Sequence, residues 1–161
     1  MLLVLLSLLG LIFTAILAGV QLTGPAFLNR MLRALEAPHY IRLKRIADAE
    51  APKLARPLML SALGLTLAAS VTALVTGMVL AGTLLAVGFI ALVVTLLAIV
   101  RGDLPINQAM AHWMPDAPPA NWRAVRDQWE HHFAVRVASN LVALVAIAAG
   151  VTVTTSVALA K

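Results

Sequence analysis

The chain contains no cysteine among its 161 residues. This absence excludes disulfide bonds, thiolate metal ligands, cysteine nucleophiles and thiol–disulfide exchange. Aromatic residues make up only 5% of the chain and charged residues 12%, whereas 61% of the residues are hydrophobic and the mean hydropathy is +0.95. A soluble protein is roughly 45–50% apolar. The composition therefore indicates one integral membrane domain, residues 1–161.

Charged side chains are missing from most of the sequence. The chain has twelve Lys and Arg and seven Asp and Glu, and all except Lys161 lie in two windows, 30–56 and 101–136. An ionised side chain at the centre of a bilayer costs roughly 2.5–3.5 kcal/mol. The apolar runs outside or at the edge of these windows predict four spans, at 2–22, 57–77, 81–100 and 133–160. The predicted fold is all-α, an integral membrane bundle of four transmembrane helices.

The two charged windows lie on the same side of the membrane, because two spans separate them. They contain eleven of the twelve Lys and Arg. The positive-inside rule therefore predicts that 23–56 and 101–132 are cytoplasmic and that both termini are outside. We expect a multi-pass protein of the plasma (bacterial inner) membrane. The first run is interpreted as a span and not as a signal peptide, since it lacks a basic n-region.

The distribution of charged residues indicates only some of the binding partners. The basic residues flank apolar runs instead of forming one patch with interleaved aromatics, so we expect a lipid bilayer as the partner and no nucleic acid. A homo-oligomer and a partner membrane protein both remain open.

The first charged window has an amphipathic pattern. After Pro25, apolar residues recur at helical spacing: Leu28, Met31, Leu32 and Leu35. A second amphipathic stretch follows Pro38, and Pro52 and Pro57 are expected to end the window. The pattern predicts an interfacial amphipathic helix between spans one and two. The alternative is a lid over the cytoplasmic mouth of the bundle, with His39 and Tyr40 in contact with a ligand.

The second charged window places aromatic, cationic and amide side chains on one helical stripe. At 100° per residue, six residues fall within an arc of about 80°: Trp122, Arg126, Trp129, Phe133, Arg136 and Asn140. One interpretation is an aromatic belt with arginines at the lipid head groups. The other is a polar cavity for an aromatic ligand. Its candidate ligand-binding residues are Asn107, Trp122, Arg126, Trp129, Arg136 and Asn140, with Asp103 beside them.

The histidines of this window do not have metal-site spacing. His131 and His132 point in different directions from one helix, and no HxxxH or HExxH pattern is present. The neighbouring charges fit ion pairs at i,i+4, namely Arg123 with Asp127 and Arg126 with Glu130. We therefore expect no metal and no cofactor.

Two elements of the second window carry a resemblance to a known family. They are Asp103-Leu104-Pro105-Ile106-Asn107 after the third span, and Trp129 with Arg136 entering the fourth, preceded by Arg126. These elements resemble the Asn-x-Pro-x-Asn-like element and the Trp…Arg pair of the anthrone-oxygenase-like membrane family, long catalogued as a domain of unknown function. That family also has four spans. Asp103 stands where the family commonly has Asn.

The resemblance implies a site chemistry. Some relatives are linked to cofactor-independent oxidation of anthrones to anthraquinones, in which a base ionises a phenolic substrate and the carbanion reacts with O₂. By this resemblance His132 or Asp103 is the candidate catalytic base, and Arg126, Arg136 and Asn107 stabilise the oxyanion. The expected ligand is a small, planar, lipophilic aromatic compound. A non-enzymatic accessory, assembly or lipid-binding protein is the alternative, so whether the chain is an enzyme stays open.

Overall fold

The structure, a computed structural model, describes residues 1–160. Helices make up 89% of it, and no strand occurs in the described part. Four helices are long and apolar enough to cross a membrane: α1 (Leu2–Arg33), α2 (Ala37–Val75), α3 (Val79–Ala111) and α4 (Trp122–Leu159). The predicted all-α fold with four helices of spanning length is confirmed.

The helices run up and down in sequence order. A short bend at 34–36 joins α1 to α2, and a tight turn at 76–78 joins α2 to α3. Gly77 has φ +78 in that turn, a conformation that glycine adopts without steric cost. Each helix packs against two neighbours, α1 against α2 and α4, and α3 against α2 and α4. A tight, uncharged turn therefore brings α2 and α3 together as antiparallel neighbours.

The helices are longer than a bilayer requires. They contain 32, 39, 33 and 38 residues, or roughly 48–58 Å at 1.5 Å per residue. A hydrocarbon core is only about 30 Å thick. Because α2 and α3 meet in an uncharged loop, the helical segments that exceed the bilayer thickness lie at the opposite end of the bundle. We call that end, built from residues 23–56 and 101–136, the polar end.

Residues 23–56 do not form a separate helix between the first two long helices. A π-helical turn, Gly24–Leu28, continues α1, and 37–56 is the first half of α2. Pro52 and Pro57 do not interrupt the helix, since both lie inside α2. Each proline removes one backbone N–H, and the turns on both sides keep their hydrogen bonds. Contact of this stretch with the membrane interface stays a prediction.

The third predicted span also continues past its apolar run. A second π-helical turn, Ile99–Asp103, carries the chain into the helical segment Leu104–Ala111. Single π turns in α-helices occur frequently at functional sites. This turn directs Asp103 into the bundle, where the side chain is buried.

The apolar core lies between the four helices. Leu17, Leu85, Leu92 and Ile147 are fully buried. Glycines sit where helices approach closely: a Cβ atom on Gly88 would lie 2.5 Å from Ile147, and one on Gly150 would lie 2.9 Å from Leu85. Small residues at such contacts let helix backbones pack tightly in lipid. Core packing therefore fixes the position of each helix along the bundle axis, and with it the axial position of the polar side chains.

Candidate functional site

A buried lysine occupies the centre of the polar end. Lys44 of α2 is 3% exposed. Its ammonium donates to the carboxylate of Asp48, with Nζ–O distances of 2.5 and 2.6 Å, and to Oδ1 of Asn107 on α3 at 2.7 Å. Nζ also lies 4.3 Å from the ring centroid of Trp129 on α4. One cation thus joins three helices.

The sequence interpretation missed Lys44 as a site residue. It placed this lysine among the polar residues of an interfacial helix, where the ammonium would be solvated. One signal was present, since Lys44 and Asp48 have the i,i+4 spacing of a helical ion pair. Contact with Asn107, 63 residues away in sequence, has no such local signature.

A second buried ion pair lies next to the first. Arg136 of α4 donates from Nη1 to Oδ2 of Asp103 on α3 at 2.6 Å. Asp103 is 1% exposed, and the guanidinium carbon lies 4.0 Å from the ring centroid of Phe133. Of the two orientations considered for Arg136, into the bundle or back to the interface, the structure has the first. Removing one partner of such a pair leaves an uncompensated buried charge.

These two clusters form a polar ladder. Asn107 lies one helical turn beyond Asp103 on α3, and Asn140 lies one turn beyond Arg136 on α4. The ladder therefore consists of Asp48, Lys44, Asn107, Asp103, Arg136 and Asn140. From Lys44 and Asn107 it extends towards the apolar core, where Asn140 is fully buried.

Several ladder atoms are buried without a hydrogen-bond partner among residues 1–160. They are Oδ1 of Asp103, Nε of Arg136, both polar atoms of the Asn140 side chain and, beside the ladder, Nε1 of Trp129. An unsatisfied buried polar group costs about 1–3 kcal/mol. The set includes both donors and acceptors, which suits water or a neutral polar group better than a lone ion.

The other arginine of the predicted stripe belongs to a different network. Arg126 contacts Asp127 at 2.9 Å and Glu130 at 3.9 Å. Glu130 in turn accepts two short hydrogen bonds from Arg33 of α1, at 2.6 and 2.8 Å. The expected Arg126–Glu130 pair is thus present. The expected Arg123–Asp127 pair is not formed, because Asp127 faces Arg126 and Arg33 instead.

The aromatic residues of the stripe face the interior. Trp122 packs on Tyr40 with ring centroids 5.5 Å apart, and Trp129 stacks on Phe133 at 5.1 Å. All four rings are at most 9% exposed. This arrangement agrees with an inward-facing stripe and not with an aromatic belt in contact with lipid.

A cavity of about 250 Å³ opens between α2 and the end of α3. Its lining is Tyr40, Ile41, Lys44, Arg45, Asp48, Ala49, Met110, Ala111 and Trp113. We call it the Lys44 cavity. Arg45 donates a hydrogen bond to the backbone carbonyl of Trp113, which holds the loop after α3 against α2. A wider groove of about 460 Å³ adjoins it along α2, sharing Asp48 and Ala49.

Of the candidate ligand contacts, Tyr40 lines the Lys44 cavity, whereas none of the ligand-binding residues of the second window and neither candidate base lines either opening. Asn107 and Trp129 contact the Lys44 ammonium but do not line the cavity. Asp103 and Arg136 form an ion pair with each other. His132 packs against Gly102, where a Cβ atom would lie 2.6 Å from the imidazole. Buried opposite charges pair with each other before they line a cavity, because an unpaired buried charge is costly. The assigned roles of these residues in ligand binding and catalysis stay predictions.

Metal ligands do not cluster in the described part of the chain. Among residues 1–160, no group of three or more His, Asp or Glu side chains is placed so that it could hold a metal ion. His131 and His132 have ring centroids 5.9 Å apart and lie edge to face.

Comparison with known proteins gives no match. No protein-family model, no curated protein and no solved structure matches this chain. The resemblance to the anthrone-oxygenase-like family therefore stays a prediction carried by the two sequence elements alone.

The Asp103–Arg136 pair gives a stability prediction. We expect Arg136→Met to lower the free energy of unfolding by about 3–5 kcal/mol, because it leaves the Asp103 carboxylate buried and unpaired. The double variant Asp103→Leu/Arg136→Met should regain most of this loss. The measurement is denaturant unfolding of the purified protein in detergent micelles.

The exposed pair of Arg42 and Asp116, 3.7 Å apart, is the matched control. Arg42→Met should change the free energy of unfolding by no more than about 1 kcal/mol. Equal losses for Arg136→Met and Arg42→Met would show that the Asp103–Arg136 pair is solvated.

Proposed function

We propose that this chain is a four-span membrane protein that binds a planar, lipophilic aromatic compound with an acidic hydroxyl group, and that the Lys44 cavity is the binding site. The observation that carries the proposal is a single buried ammonium in the wall of a largely apolar cavity. Ligand sites are typically apolar clefts with a few convergent polar groups that fix orientation.

The lining groups match such a ligand. Trp113 offers partly exposed aromatic surface, and the lining also includes Tyr40, Ile41 and Met110, which are at most 3% exposed. An ionised ligand oxygen would accept from Lys44 in place of one of its present acceptors on Asp48 and Asn107, and charge-assisted bonds of this kind are roughly twice as strong as neutral ones. Drug-sized ligands occupy sites of roughly 300–1,000 Å³. A cavity of about 250 Å³ suits a smaller compound, with two or three fused rings.

The groove along α2 suits delivery from lipid. It extends from the Lys44 cavity to Pro57, where the uncharged run of α2 begins. A lipophilic compound dissolved in a bilayer would thus reach the cavity without crossing water. We further propose the orientation favoured by the positive-inside rule, with the polar end in the cytoplasm of a bacterial cell and both termini outside.

Binding of 2-naphthol by the purified protein tests the proposal. We expect quenching of Trp113 fluorescence, and binding at least tenfold weaker in Lys44→Gln, because the variant lacks the cation that stabilises the naphtholate oxygen. Fluorescence titration in detergent micelles measures both. A tenfold change corresponds to about 1.4 kcal/mol.

Two controls accompany this titration. Lys53→Gln, which alters an exposed lysine outside the Lys44 cavity, should bind 2-naphthol as the wild type does. The ligand 2-methoxynaphthalene has a similar shape but no acidic proton, and should bind the wild type at least tenfold more weakly. Equal affinities for the two ligands, or for wild type and Lys44→Gln, would contradict the proposal.

A second candidate function is oxygenation of the bound compound. Asp48 favours it, because its carboxylate lines the cavity 2.5 Å from the Lys44 ammonium. With an anthrone, Asp48 would take a proton from the carbon opposite the carbonyl, and Lys44 would stabilise the resulting enolate oxygen. O₂ would then bond to that carbon. Loss of the second C–H proton with cleavage of the O–O bond gives anthraquinone and one molecule of water.

Turnover of anthrone under air, with a chelator present, tests this second function. We expect anthraquinone to form faster than in protein-free micelles, and Asp48→Asn to lose at least 90% of the excess rate because the amide cannot accept the proton. Absorbance of the quinone is the measurement. Binding of 2-naphthol without excess turnover of anthrone would show a binding protein and not an oxygenase. Absence of both binding and turnover would favour the accessory or assembly role.

A further inference from the structure

The groove along α2 has features that the Lys44 cavity does not explain. It lies where the charged half of α2 meets the apolar half, and its lining includes Pro52, Lys53, Arg56 and Pro57. Both cations are exposed. Arg56 is the last charged residue before an uncharged run that extends from 57 to 100.

The cations of the groove are available to an outside ligand. Lys53 pairs with Glu50 at 2.6 Å, but the two side chains are 69% and 62% exposed, and such pairs contribute about 1 kcal/mol or less. Arg56 has no carboxylate within 4.0 Å among residues 1–160. The one acid in the lining, Asp48, is neutralised by Lys44. The groove is therefore cationic.

The two prolines add hydrogen-bond acceptors to the same face. A proline has no N–H, so Pro52 gives no helical hydrogen bond to the carbonyl of Asp48, and Pro57 gives none to that of Lys53. These carbonyl groups can accept hydrogen bonds from hydroxyl groups of a ligand that is held by its charge.

An apolar stripe continues from the cations into the uncharged half of α2. At 100° per residue, Leu60, Gly64, Leu67 and Val71 share the face of Lys53 and Arg56. The three large side chains are 67%, 44% and 50% exposed. A Cβ atom on Gly64 would meet nothing within 4 Å, so the stripe has a notch in its middle. A free phosphate ion would make no use of these residues, whereas an acyl chain would.

We propose that this face of α2 is a binding site for an anionic phospholipid with a hydroxyl-bearing head group. Lys53 and Arg56 bind the phosphate, and the free carbonyls accept from the head-group hydroxyls. One acyl chain runs along the stripe past Gly64. The inference requires that the four helices cross a membrane, and it is independent of ligand binding in the Lys44 cavity.

Competitive lipid retention tests the site. Purified protein is incubated in detergent with equal amounts of phosphatidylglycerol and phosphatidylcholine that carry the same acyl chains, and native mass spectrometry counts the lipids retained per chain. We expect at least tenfold preference for phosphatidylglycerol in the wild type. K53Q/R56Q should lower this preference to the ratio of the two lipids in the micelles. G64L should also reduce the preference, although both positive charges remain.

The matched control is R30Q/R101Q, which removes two exposed positive charges from the polar end outside the groove. This variant should keep the wild-type preference. Equal loss in both double variants would overturn the site, because it would show an effect of net charge alone. Complete displacement of the lipid by inorganic phosphate at equal concentration would show an ion site and overturn the phospholipid assignment.

Discussion

The polar end depends on one constraint, which is that a charge removed from water needs partners within a few ångströms. Lys44 meets it with groups from two other helices, the amide of Asn107 and the ring of Trp129, besides Asp48 on its own helix. Loss of any of these groups would leave the ammonium underpaired. The lysine therefore links α2, α3 and α4, and it also forms the polar wall of an apolar cavity.

The same constraint accounts for the division of the molecule into two halves. The apolar half needs only close packing at small residues such as Gly88 and Gly150. The polar end holds two buried ion pairs and a fully buried asparagine whose amide has no hydrogen-bond partner among residues 1–160. Because such groups cost stability, their position next to a cavity agrees better with a site than with a purely structural role. The groove along α2 extends from that cavity to Pro57, where the uncharged run of α2 begins.

The sequence predicts the helices well and the site poorly, for a physical reason. Absence of charge over 20 residues is a strong signal, so the four helices of spanning length follow from it. Helical phase also predicts that Trp129 and Asn140 share one face, and the structure places that face inside the bundle. Pairing between helices has no local signature. The contacts of Lys44 with Asn107 and of Arg136 with Asp103 depend on the position of each helix along the bundle axis. Core packing and two π-helical turns set that position. The prolines of α2 also mislead, because a helix of 39 residues continues through both.

The account depends most on the burial of Lys44 in the cavity wall, and lysine acylation tests it directly. The purified protein in micelles would be treated with a water-soluble N-hydroxysuccinimide ester, and mass spectrometry would follow each lysine. Lys53 is exposed and Lys44 is 3% exposed. We predict that Lys53 reacts at least tenfold faster than Lys44, and that unfolding removes the difference. Equal rates in the folded protein would contradict the buried ion pair and the cavity built on it.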